Sequence, residues 1–164
     1  MDLPDRALPR CRARGARLPV RARRGDPARR PARLEGAGLN VLFVCVGNAG
    51  RSLLAERLLR RESEGRHQAR SAGSAPGAHA HPQVLEVLSE IGIDASDHVP
   101  HKLDDDAVEW ADVVVATCDD ACPVVPGKRY IAWDLPDPKT MPLDQVRTLR
   151  DEIEGRVHEL VAKL

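Results

Sequence analysis

From Asn40 onward the chain alternates short apolar runs with longer amphipathic stretches. Val41-Leu42-Phe43-Val44 is an unbroken apolar run ending at Cys45, the pattern of a strand buried on both faces. A glycine-bearing loop follows. Leu53, Leu54, Leu58 and Leu59 then recur at helical spacing, with Arg57, Arg60 and Arg61 on the other side. Residues 69–72 form a weaker strand before the loop Gly73-Ser74-Ala75-Pro76-Gly77. Val84, Leu85, Val87, Leu88 and Ile91 make a second helix, stopped by Gly92. Asp104-Asp105-Asp106 reads as a solvated helix start rather than a metal cluster. Val113-Val114-Val115-Ala116 is a second strong buried strand. Tyr130-Ile131-Ala132-Trp133 is a third, and it runs into a proline-rich loop over residues 134–142. The last helix has the clearest period, with Leu143, Val146, Leu149, Ile153, Val157, Leu160 and Leu164 on one stripe.

Strands alternating with helices imply an α/β domain with a parallel sheet covered on both faces. The 164 residues suffice for one such domain, placed at residues 39–164. Residues 1–38 differ. They carry eleven arginines against four acids, a balance of +7, whereas the remainder carries −7, so the net charge of zero conceals a basic leader on an acidic body. The leader has five prolines and few large apolar residues, and it is expected to be disordered. It fits a solvated tail, or GC-rich sequence translated ahead of the natural start. A nucleic-acid-binding arm would want aromatics among the arginines, and a transit peptide would want serine; the leader has neither. No run approaches the ~20 apolar residues of a membrane span, and no secretory signal is legible. The expected compartment is therefore the reducing cytoplasm, where four cysteines serve chemistry or packing rather than a disulfide framework.

Candidate chemistry centres on Cys45-Val46-Gly47-Asn48-Ala49-Gly50-Arg51-Ser52. A cysteine at the end of a buried strand is followed by a loop that two glycines let curl, and then by a helix N-terminus. Inward N–H groups and the helix's positive end together make an anion nest. Cationic neighbours and a helix N-terminus favour the thiolate, and the planar fork of Arg51 suits two oxygens of a tetrahedral oxyanion. Ser52 is placed to donate to the sulfur, and Asn48 to brace the loop through its amide. Displacing an oxygen from such an anion also requires a general acid, for which the loop after the third strong strand offers Asp134 and Asp137.

The pattern Cys45-x-Gly47-Asn48-x-x-Arg51-Ser52-x-x-Ala55-Glu56 resembles the signature of the low-molecular-weight protein tyrosine phosphatase superfamily, which includes arsenate reductases of the same fold. The likeness extends from Asn40 to Leu164 through Arg70-Ser71-Ala72-Gly73-Ser74 and Ile91-Gly92-Ile93-Asp94. It implies a three-layer sandwich with four parallel strands, and a hydrogen bond from Ser71 to Asn48 that holds the loop. It also selects Asp137, which precedes Pro138, as the acid.

The stretch Cys122-Pro123-Val124-Val125-Pro126-Gly127-Lys128 resembles the arsenate reductase branch. The resemblance implies that Cys118 and Cys122 relay electrons: Cys118 attacks the Cys45–arsenic adduct, Cys122 resolves the disulfide, and thioredoxin reduces the pair. The interval between these cysteines is shorter than in the thioredoxin-linked pattern. In the mycothiol-dependent branch a small thiol replaces the relay, and the two cysteines are then structural. Two thiols without a second ligand pair do not make a zinc site, and no metal or organic cofactor is expected.

Phosphotyrosine enzymes of the superfamily wall their pocket with aromatics after the Asp-Pro pair. Here Lys139 and Thr140 follow, and only Phe43, Trp110, Tyr130 and Trp133 are aromatic. The expected function is thus reduction of arsenate to arsenite. A phosphotyrosine or small-phosphoester phosphatase is the competing enzyme, and a non-catalytic oxyanion- or nucleic-acid-binding module the competing class.

Overall fold

The computed structural model of the chain describes residues 38–118 and 127–164. The elements are β1 (Asn40–Cys45), α1 (Arg51–Glu62), β2 (Gln68–Gly73), α2 (Pro82–Ser89), α3 (Asp105–Trp110), β3 (Val113–Ala116), β4 (Arg129–Ala132) and α4 (Leu143–Lys163), with a 3-10 turn at Pro138–Thr140. Four strands form one parallel sheet in the order β2-β1-β3-β4. The chain moves from β1 to one side and then crosses to the other, so the strand order reverses at β1. Open α/β sheets bind ligands beyond the carboxyl ends of strands at such a point. Cys45 is the last residue of β1.

Strand alternation sorts β1 between two cores. Val41 and Phe43 pack with Val113, Val115 and the apolar stripes of α1, α2 and α4; Leu42 and Val44 pack with Val114, Ala116, Val108 and Trp110 on the α3 side. One contact of aromatic rings and one of a cation over a ring divide the same way. Phe43 and Trp133 meet at 5.7 Å in the first core, and Arg70 stacks 4.2 Å over the Trp110 ring on the other face. The three layers expected from the strand–helix alternation are therefore present, and Asp104 caps α3 by accepting a hydrogen bond from the Ala107 amide. Cys122, expected to be a relay cysteine, lies outside the described residues, as do residues 1–37 of the leader. Among the described residues no helix is long and apolar enough to cross a membrane.

The stripe on α4 buries Val146, Leu149, Ile153, Val157 and Leu160. Gly155 lies on its outer face, where an added Cβ meets no atom within 4 Å. Gly155→Ala is expected to raise the unfolding free energy by about 1 kcal/mol, the helix-propensity difference. Ile153→Ala should lower it by about 2–5 kcal/mol through lost burial and a cavity. Urea denaturation reads both, and an Ile153→Ala midpoint equal to the parent's would show that α4 does not seal this core.

Candidate active site

The loop from Cys45 to Gly50 is held by its carbonyls. Ser74 N–H donates to Cys45 O at 3.0 Å, Ala75 N–H to Val46 O at 2.9 Å, and Gly77 N–H to Gly47 O at 2.9 Å. His98 Nε2 lies 2.8 Å from Asn48 O, His81 N–H donates to Ala49 O at 2.9 Å, and Leu54 N–H to Gly50 O at 2.9 Å. All six acceptors are engaged from outside the loop. In a trans peptide C=O and N–H point in opposite directions, so this turns the N–H groups of residues 46–51 toward the concave side. Asn48 N–H shows the result, donating to Cys45 Sγ at 3.2 Å. Because a carbonyl only accepts, His98 carries its hydrogen on Nε2. Burial holds the His98 imidazole below its ordinary pKa.

Two further constraints shape the turn. Asn48 takes a left-handed conformation, with φ of 50°, a region that asparagine tolerates better than most residues. Gly73, at the end of β2, passes so close that a Cβ there would stand 2.4 Å from Val46 O. Only a residue without a side chain allows β2 to support the loop at this distance.

Cys45 is buried, with 2% of its surface exposed. Its Sγ lies 3.0 Å from Ser52 Oγ, which itself accepts from Asn48 Nδ2 at 3.0 Å. With that lone pair engaged, the Ser52 hydrogen is available to the sulfur. Two donors thus converge on Sγ. Helix α1 starts immediately after, with Gly50 as N-cap, no capping side chain and no acid in its first turn, so its positive end is not neutralised by its own residues.

Arg51 is 7% exposed. Its Nη1 donates to Leu135 O at 3.0 Å, and its Nη2 stands 3.7 Å from Asp137 Oδ2. The guanidinium therefore joins the anion loop to the loop that carries the acid candidate. Asp137 is exposed; its Oδ1 accepts from Lys139 N–H at 3.0 Å and so caps the 3-10 turn. Val46, Arg51, Asp134, Leu135, Pro136 and Asp137 line one open cleft, and no aromatic side chain is among them. Asp134 is exposed at the cleft rim. His81 packs beside this junction. Burial lowers its pKa, while the neighbouring Asp137 carboxylate pulls it up.

Ser71 does not contact Asn48 in the way the resemblance implied. Its hydroxyl hydrogen-bonds Glu56 Oε2, and Glu56 pairs with Arg60 at 2.7 Å. The reason is demand. Glu56 is a carboxylate with 5% exposure that requires donors, whereas the Asn48 amide is already engaged by Ser52 and by His101 N–H at 2.8 Å. Ser71 instead ties β2 to α1. Pattern reading also missed His98, which stands 50 residues from Asn48 with no periodicity or motif to mark it.

Cys118 is buried and disulfide-bonded, its partner lying outside the described residues. The register places Ala116 opposite Val44, so Cys118 emerges at the same sheet edge as Cys45. Among the described residues no group of three or more His, Cys, Asp or Glu is arranged to hold a metal ion.

The family model of low molecular weight phosphotyrosine protein phosphatases matches residues 40–164. Arsenate reductase 2 of Staphylococcus epidermidis is 33% identical over 122 residues, covering 71% of this chain and 92% of its own length. The solved Corynebacterium glutamicum thioredoxin-dependent arsenate reductase is 40% identical with a TM-score of 0.66, over 79% of this chain; this chain spans 63% of that one. The low molecular weight protein tyrosine phosphatase of T. tengcongensis is 31% identical with a TM-score of 0.69, over 77% of this chain and all of its own. Loop, strand order and matched residues agree: the chain belongs to the low molecular weight phosphotyrosine protein phosphatase family, with arsenate reductases among its relatives.

Proposed function

We infer that the chain reduces arsenate to arsenite, with Cys45 as nucleophile and a thiol as electron source. The observation that carries this is the position of Cys45 Sγ on the floor of an amide-lined cup closed by Arg51, in a chain whose relatives include arsenate reductases.

Arsenate enters with its oxygens on the inward N–H groups of residues 46–51 and on Arg51, which places arsenic above Sγ. The sulfur attacks arsenic, an As–O bond breaks, and Asp137 gives its proton to the departing oxygen, which leaves as water. A second thiol then attacks the Cys45 sulfur. The S–As bond pair passes to arsenic, which becomes arsenite, and the two sulfurs, oxidised by two electrons, become a disulfide. Cys118 supplies that thiol in its reduced form. Cys122 and thioredoxin then restore the enzyme; in the alternative branch a small thiol such as mycothiol attacks the adduct from outside in place of Cys118. In this reading the residues and the external thiol carry all the chemistry, without metal or organic cofactor, and no membrane or nucleic-acid partner takes part.

Hydrolysis of a phosphoester is the second reading, since the same cup fits phosphate and the T. tengcongensis phosphatase shares the fold. Among the described residues no aromatic lines the cleft, which favours the smaller, inorganic anion.

Cys45→Ser is expected to abolish thiol-dependent arsenite release, and Asp137→Asn to reduce it about 10²- to 10⁴-fold. Brisk turnover of p-nitrophenyl phosphate with no thiol-dependent arsenite release would replace the reductase reading by the phosphatase one. Mass spectrometry of the pre-reduced enzyme after a single turnover without added thiol locates the second sulfur. A new disulfide that includes Cys118 is expected for the internal relay, and an arsenic adduct retained on Cys45 for an external thiol.

A further inference from the structure

The loop that carries Asp137 is tied to the rest of the site at two places. On one side Arg51 donates to Leu135 O. On the other a residue outside every motif of the sequence makes the tie: Gln83 Nε2, in the first turn of α2, donates to Pro138 O at 2.9 Å and to Lys139 O at 3.1 Å. One carboxamide nitrogen with two hydrogens thus spans two consecutive carbonyls of the turn that Asp137 caps. The contact is close because Gly50 has no side chain: a Cβ there would stand 2.6 Å from Pro138 Cγ and 3.2 Å from the His81 ring. His81, two residues before Gln83, in turn holds Ala49 O. The start of α2 therefore grips the anion loop with one residue and the acid loop with another.

We propose that Gln83 is a positioning residue for the acid: its amide clamp on Pro138 and Lys139 fixes the height of the Asp137 carboxyl over the cup. The proposal rests on Asp137 being the general acid. Asp137 is itself exposed, and besides Arg51 it meets the amide of Lys139, so the turn, rather than burial, sets where its proton is delivered. Without the clamp the turn can drift from the cup while the cup itself, held by backbone N–H groups of residues 74–81 and of α1 and by His98, stays intact. Proton delivery then fails and anion binding persists. Misplacement by about 1 Å is enough to cost up to 10²-fold in rate.

Gln83→Met keeps the length and helix propensity of the side chain and removes both donors. Expected for thiol-dependent arsenite release is a fall in kcat of about 10- to 100-fold, with the inhibition constant for inorganic phosphate and the thermal midpoint unchanged. The alkaline limb of the pH–rate profile should flatten, as is also expected of Asp137→Asn. Gln83→Glu, which sets a carboxylate against two carbonyls, should fall at least as far, and it serves if the Met variant folds poorly. Wild-type kcat in either variant, beside an impaired Asp137→Asn, overturns the clamp and leaves the acid in place. A lower kcat with weaker phosphate binding and an unaltered pH profile also overturns it, as a general disturbance of the site. Full activity of Asp137→Asn overturns the acid assignment itself.

Discussion

The site depends on which way six peptide groups face. Every carbonyl from Cys45 to Gly50 is engaged by a donor outside the loop, and the geometry of the trans peptide then commits the amides to the inside. The cup is thus assembled by satisfying acceptors and needs no anion to form it. Five of the six donors are backbone N–H groups, supplied by residues 74–81 and by α1. Substitution leaves those five in place, and the exception is His98. A preorganised set of donors stabilises developing charge without reorganising at the moment of reaction.

Around this cup lie supports whose loss would act indirectly. The buried Glu56, with Ser71 and Arg60, locks α1 to β2; Arg60 also donates to Ala69 O at 2.9 Å, which reinforces the same junction. Since Cys45 ends β1 and Arg51 begins α1, a shift of α1 against the sheet would move sulfur and guanidinium relative to each other. The charge of Glu56 is tolerated inside because donors surround it; a lone carboxylate at that depth would be costly.

Phosphatase and reductase chemistry begin alike, with sulfur attacking the central atom of a tetrahedral anion. They part at the second step, where water or a thiol arrives. The cup therefore cannot distinguish them. Among the described residues the cleft lining contains no aromatic side chain, and the β1–β3 register brings Cys118 to the same sheet edge as Cys45.

Much was legible from residues alone. Buried strands reveal themselves as unbroken apolar runs, and the α4 stripe as a sustained period, because burial on two faces or one face constrains residue type at every position. The Cys45–Ser52 segment was readable for a similar reason: cysteine, glycines, arginine and helix start are contiguous, so their geometry is local. What the tertiary structure decided is everything that closes over distance. His98 on Asn48 O, Ser71 turned to Glu56 instead of Asn48, and Gln83 on the acid turn each join segments 15 to 56 residues apart. Such pairings leave no period and no spacing, because one polar side chain meeting one backbone or carboxylate group constrains a single position. Only the packing of β2, α2 and the segment carrying His98 beside the loop determines which acceptor each of them reaches.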